Sequence, residues 1–135
     1  QRERGRGERA APGDIPRGAG GSELAVGFTV MGRRFVGRNG GPVFTANEAV
    51  SLMVVTETQE ETDRIWDAIV SNGGEESQCG WCRDRWGFSW QITPRRLLEL
   101  NASADKAEAK RAFEAMMTMK KIDIAALEAA VAKRA

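Results

Sequence analysis

The chain has 135 residues with 20 basic and 19 acidic side chains, so its formal net charge is +1. This length fits one ordinary domain, and the interleaved charges argue against a nucleic-acid partner. No apolar run approaches the roughly 20 residues that span a bilayer, and no export signal is visible, so we expect a cytoplasmic protein without a membrane partner. The sequence has no histidine, which excludes Ser-His, Cys-His and His-metal sites built from this chain alone.

Residues 1–22 are rich in arginine and glycine and have no hydrophobic periodicity. We interpret them as a flexible basic arm or a surface loop. The first residue is Gln1 rather than methionine, which indicates a fragment or a trimmed chain.

A hairpin is predicted next. Residues 24–30 alternate large and small side chains with period two, which indicates a strand with one buried face. Gly32 marks a tight turn, and residues 34–38 are the predicted hairpin partner. Asn39 begins a run that ends at Pro42, and these turn-forming residues end the hairpin.

A strand and a helix follow the hairpin. Residues 49–56 are rich in aliphatic side chains and predict a strand. Thr58 and Glu61 have the spacing of a capping box, which predicts a helix over residues 59–71. Gly73 is placed to supply a left-handed cap at the end of that helix.

The remaining elements are short strands and then helices. Residues 75–81 are strand-like, and residues 88–92 alternate apolar and polar side chains. Pro94 opens a helical third, with predicted helices over residues 105–120 and from Asp123 onward.

These elements form a strand–helix–strand–strand–strand unit over residues 49–93. The two strands in residues 24–39 look like the end of a similar unit.

Several local motifs occur in an order that resembles a known family. The chain is similar to the PhnB-like branch of the vicinal oxygen chelate superfamily, which has the glyoxalase and bleomycin-resistance fold. The likeness covers about residues 12–134. The motifs that carry it are Asn39-Gly40-Gly41-Pro42, Gly73-Gly74-Glu75-Glu76, Cys79-Gly80-Trp81, Asp84-Arg85-Trp86-Gly87 and Ser89-Trp90-Gln91-Ile92.

The resemblance implies an α+β fold in which paired βαβββ modules form a cup-shaped mixed sheet. It also implies a homodimer, with helices on the convex face and ligands on the concave face. The expected division is an arm at 1–22, the remainder of an incomplete first module at 23–41, a second module at 42–94 and a helical C-terminal extension at 95–135. The missing first strand and helix indicate truncation or a contribution from another chain.

Metal-dependent members of the superfamily use His and Glu on facing strands. By strand parity, Ser51 stands where a His ligand would be, and Gln91 stands where a Glu would be. A faint repeat of the strand pattern places Val36 at a further ligand position. Because these side chains are poor ligands for zinc or nickel, no metal and no other cofactor is predicted.

The spacing of Cys79 and Cys82 is that of a CxxC motif. A redox-active CxxC opens a helix, whose N-terminus stabilises the thiolate, whereas this one runs through a turn into a strand. We therefore interpret both cysteines as structural.

The predicted ligand-binding residues are Asn39, Phe44, Ser51, Trp81 and Gln91. Trp81 would line the cup as an aromatic wall, and the loop after Asn39 would bring backbone amides close to a ligand. Glu48 is a lone carboxylate that we interpret as a rim charge or, if buried, a general base. Methionines in the C-terminal region suit core packing or a dimer contact.

The sequence predicts a metal-free homodimer that binds a small apolar or aromatic ligand, with or without catalysis. Two alternatives stay open. The first is a metal-dependent lyase, isomerase or dioxygenase that uses Gln91 and ligands from the absent strand. The second is a partner-docking module that uses the helical tail at residues 95–135.

Overall fold

The computed structural model describes residues 24–133, which belong to two compact units divided between Phe44 and Thr45. Each unit is described by itself. The predicted arm at residues 1–22 lies outside the described residues. The predicted α+β class is confirmed, because the described residues form an antiparallel hairpin, a mixed four-stranded sheet and four helices.

The first unit contains the predicted hairpin, formed by β1 (Ala25–Val30) and β2 (Arg33–Arg38). Its two-residue turn has positive φ at both positions, 48° at Met31 and 78° at Gly32. Such turns match the right-handed twist of the two strands that they join. Phe28 lies opposite Phe35 in the register, and the two rings stack with centroids 5.6 Å apart.

The second unit begins with the βαβββ order that the sequence predicts for residues 49–93. Its elements are β3 (Ser51–Thr56), α1 (Gln59–Val70), β4 (Glu75–Glu76), β5 (Trp81–Arg83) and β6 (Ser89–Pro94). The strand order is β3-β6-β5-β4, with β3 parallel to β6 and the other neighbours antiparallel.

The predicted strand over residues 75–81 is wrong in its extent. Cys79 and Gly80 have φ values of 59° and 82°, and two left-handed residues in succession reverse the chain between β4 and β5. Their amides donate to carbonyl oxygens of the C-terminal region, Cys79 N to Met119 O at 2.8 Å and Gly80 N to Lys120 O at 2.7 Å. The turn therefore joins the sheet to the helices that follow it.

The cap of α1 follows the prediction with one shift. Thr58 accepts a hydrogen bond from the Glu61 amide at 3.1 Å, as a capping residue should. The Glu61 carboxylate accepts a hydrogen bond from the Glu57 amide at 2.9 Å. A standard capping box would use the amide of Thr58, one residue later. The helix ends at Val70, and Gly73 has the predicted positive φ, at 88°.

The sheet of the second unit has two chemically different faces. Val54, Cys82 and Ile92 pack against Trp66 of α1 and form one buried cluster. Residues of opposite parity, including Ser51 and Gln91, lie on the other face. Strand parity thus separates Ile92, on the side of α1, from Gln91, on the opposite side.

The C-terminal helices are α2 (Arg95–Asn101), α3 (Lys106–Met116) and α4 (Ile124–Ala132). They enclose a second core of Leu97, Leu100, Ala112, Ile122 and Leu127. The helix predicted over residues 105–120 ends at Met116, because the chain then turns to meet the Cys79–Gly80 amides. No helix within residues 24–133 is both long and apolar enough to cross a membrane.

Gly80 offers a test of the junction between sheet and helices. A Cβ on Gly80 would lie 3.0 Å from Ile122 Cγ1 and 3.0 Å from Ile92 O, at a φ that L-residues rarely adopt. We expect Gly80→Ala to lower the free energy of unfolding by about 2 kcal/mol, measured by urea denaturation.

The matched control is Gly40→Ala, because a Cβ at Gly40 would meet no atom within 4 Å. It should change the free energy of unfolding by less than about 0.5 kcal/mol. Equal effects of the two substitutions would contradict the close packing at Gly80.

Candidate functional site

Three of the five predicted ligand residues lie on the free face of the sheet. The register pairs Trp81 of β5 with Gln91 of β6, so their side chains share a face. Gln91 Nε2 donates a hydrogen bond to Ser51 Oγ at 2.8 Å, across the parallel β3–β6 pair. Strand parity therefore brings Ser51, Trp81 and Gln91 to one side, opposite α1.

The other two predicted residues belong to the first unit. The amide of Asn39 donates to Leu24 O at 2.9 Å and so closes the open end of the hairpin. The side chain of Phe44 is 90% exposed. A ligand role for Asn39 and Phe44 stays a prediction.

A cavity of about 210 Å³ opens at the Trp81 end of the free face. Besides Trp81, its lining includes Glu48, Glu75, Arg83 and Ser89. Neither Arg83 nor Ser89 is among the predicted ligand residues, although strand parity places Ser89 on the same side as Gln91. Parity could have found Arg83 as well, because it is two residues after Trp81.

Charged side chains of both signs border this cavity. Arg83 Nη2 lies 2.6 Å from Glu75 Oε2, in a half-exposed pair that contributes little to stability. Because a guanidinium has five N–H donors, Arg83 retains donors for a ligand. The Glu76 carboxylate accepts hydrogen bonds from Lys120 and Trp66. These bonds lower its pKa, and the bond from Lys120 has the larger effect. Glu48 adds a further carboxylate to the rim.

The residues that the sequence analysis compares with metal ligands are Ser51, Gln91 and Val36. The Ser51 hydroxyl and the Gln91 amide bond to each other, and neither is a preferred zinc or nickel ligand. The valine at the further position, Val36, offers no donor atom. No group of three or more Cys, Asp or Glu side chains within residues 24–133 is arranged to hold a metal.

The two cysteines occupy different environments. Cys82 is 1% exposed and packs in the cluster below α1. Burial, and to a lesser extent the nearby Asp84 charge, raise the pKa of the Cys82 thiol to about 11. Cys79 is half-buried in its turn, with Sγ 3.6 Å from Met117 Sδ. Both thiols are free, and the structural interpretation of the CxxC spacing stays a prediction.

The comparisons with known proteins identify the family. Residues 6–93 match the family model described as 3-demethylubiquinone-9 3-methyltransferase, and the chain belongs to that family. A solved structure of a PhnB protein from Bacillus cereus, described as a candidate enzyme of that name, is 28% identical to this chain. The match covers 59% of this chain and 75% of the Bacillus protein, with a TM-score of 0.52. The predicted PhnB-like family is thus confirmed; no curated protein matches the chain.

The cysteines provide a test of the site's chemistry. A thiol with a pKa near 11 is almost entirely protonated at pH 8, and the thiolate is the reactive form. We expect Ellman's reagent to modify only Cys79 in the folded protein at pH 8, and both cysteines in denaturant. The Cys79→Ala variant should show no reaction until it unfolds. Fast modification of both thiols in the folded protein would contradict the buried position of Cys82.

Proposed function

We propose that the second unit binds one compact small molecule in the cavity beside Trp81, without a metal. The observation that supports this most strongly is the convergence of Trp81, Arg83 and Ser89 on one concave part of the free face. Small-molecule sites combine aromatic surface with directional polar groups, and this cavity offers one indole among mainly polar side chains.

The lining suggests the chemistry of the ligand. Trp81 offers an apolar surface for an aromatic or aliphatic group. Arg83 offers hydrogen-bond donors, and Glu48 offers an acceptor at the rim. A compact aromatic molecule with a carbonyl or hydroxyl group could stack on Trp81 and form a hydrogen bond with Arg83 or Glu48.

Methyl transfer is the second candidate, because the family description names a methyltransferase. That reaction requires a methyl donor and an acceptor to be held side by side. The cavity of about 210 Å³ is smaller than the roughly 300–1,000 Å³ usual for a single drug-sized ligand. The geometry of the second unit therefore favours binding of one compact ligand.

We also propose that the protein is a cytoplasmic homodimer of the vicinal oxygen chelate superfamily. The βαβββ order of the second unit supports the superfamily assignment. Exposed apolar side chains on one face of the hairpin, such as Phe28 at 47% exposure, support an interface that covers them. A second copy of the chain is the proposed cover.

Binding can be tested by NMR with phenol and benzamide as compact aromatic probes. We expect these probes to shift the Trp81 indole N–H signal more than the signals of the other three tryptophans. Arg83→Gln should weaken benzamide binding about tenfold, because a charged donor to its carbonyl is lost. Dialysis against EDTA should leave the affinity unchanged.

The matched control is Arg64→Gln, an exposed arginine on α1 outside the cavity lining. It should bind the probes as the unmodified protein does. Loss of binding after EDTA treatment would favour the metal-dependent enzyme instead. If neither probe shifts the Trp81 signal, the proposed site is wrong.

A further inference from the structure

A second and larger cavity lies on the helix-bearing side of the sheet. Its volume is about 370 Å³, within the range of small-molecule sites. It lies between the end of α1 and the turn that joins β5 to β6. The lining residues that matter to its chemistry are Ile69, Asp84, Arg85, Trp86 and Trp90.

The walls of this cavity are aromatic and aliphatic. Trp90 Nε1 donates to Asp84 Oδ2 at 3.0 Å, so the polar atom of this indole is already used and its apolar surface remains for the cavity. Ile69 contributes an aliphatic side chain from α1. Trp86 is 65% exposed, an unusual position for so large an apolar side chain. Such walls suit a flat, apolar ligand.

The turn that carries Trp86 is held in place by its own hydrogen bonds. Asp84 Oδ1 accepts from the Trp86 amide at 2.9 Å and from the Phe88 amide at 3.0 Å. Gly87, with a φ of 91°, donates from its amide to Asp84 O at 3.0 Å. Because the backbone is fixed before binding, less conformational entropy is lost when a ligand contacts this turn.

Arg85 supplies an available positive charge at the cavity. Its guanidinium carbon lies 4.3 Å from the centroid of the Trp86 ring, a cation–π distance. Across residues 24–133, no acidic side chain forms an ion pair with Arg85. The guanidinium is therefore oriented by the indole and keeps its hydrogen-bond donors free for a ligand.

The end of α1 would oppose an anion if its last carbonyl groups were unbonded. Three of the carbonyl oxygens in the last turn of α1 have a donor. Asp67 O accepts from the Ser71 amide and hydroxyl, Ala68 O from Asn72 Nδ2 at 2.6 Å, and Ile69 O from Gly74 N at 3.2 Å. These bonds reduce the repulsion that an anionic ligand would meet at this end of the helix.

We propose that this cavity is a second ligand site, for a planar aromatic carboxylate. The ring lies against Trp86 and Trp90, and the carboxylate accepts hydrogen bonds from the Arg85 guanidinium. Arginine and carboxylate have matching planar geometry and form charge-assisted hydrogen bonds. This site is independent of the cavity beside Trp81, because the two share no lining residue.

The four tryptophans of the chain make the two sites distinguishable by NMR. In a titration with 2-naphthoate, we expect the indole N–H signals of Trp86 and Trp90 to move, while those of Trp66 and Trp81 stay in place. The neutral analogue 2-naphthylmethanol should bind about tenfold more weakly, because it lacks the carboxylate that Arg85 recognises.

Two substitutions test the assigned roles. Arg85→Gln should weaken 2-naphthoate binding about tenfold and leave the affinity for 2-naphthylmethanol unchanged. Trp86→Ala should weaken the binding of both compounds. Because the Trp86 side chain is exposed, the variant should keep its fold, which thermal unfolding checks. Arg64→Gln on α1 is the matched control and should change neither affinity.

Three results would overturn the proposal. The first is equal affinity for 2-naphthoate and 2-naphthylmethanol. The second is a 2-naphthoate titration that moves the Trp81 signal and leaves the Trp86 and Trp90 signals in place. The third is an Arg85→Gln variant that binds 2-naphthoate with unchanged affinity.

Discussion

The parallel pairing of β3 with β6 is the constraint that separates the two faces of the sheet. It aligns Ser51 with Ser89 and Val54 with Ile92, so that the side chains of both strands alternate in phase. A slip of one residue would exchange the two faces and place Gln91 against Trp66 of α1. Burying that amide without a partner costs more than burying the isoleucine gains. The apolar cluster below α1 therefore fixes the register, and the register places Gln91 on the free face.

Much of this arrangement could be predicted from sequence because it depends on local chemistry. Period-two alternation in β6 is enough to separate Gln91 from Ile92. The caps at Thr58, Asp105 and Asp123 could be predicted for the same reason, since each side chain bonds to an amide within three residues.

The remaining features depend on contacts that are distant in sequence. The chain reversal at Cys79 and Gly80 is stabilised by the carbonyl groups of Met119 and Lys120, about 40 residues away. The local sequence alone does not predict it. The end of α3 at Met116 has the same cause. Both cavities depend on how β5 and its flanking turns pack, so the Arg85–Trp86 pair emerges as part of a site only from the fold.

Elemental analysis of the purified full chain tests most directly whether the free face of the sheet binds a metal ion. Because the Ser51 hydroxyl and the Gln91 amide are engaged with each other, we expect no stoichiometric metal after incubation with zinc or nickel and removal of the excess. The Gln91→Ala variant should give the same result. One tightly bound ion per chain that is lost in Gln91→Ala would contradict this description of the site.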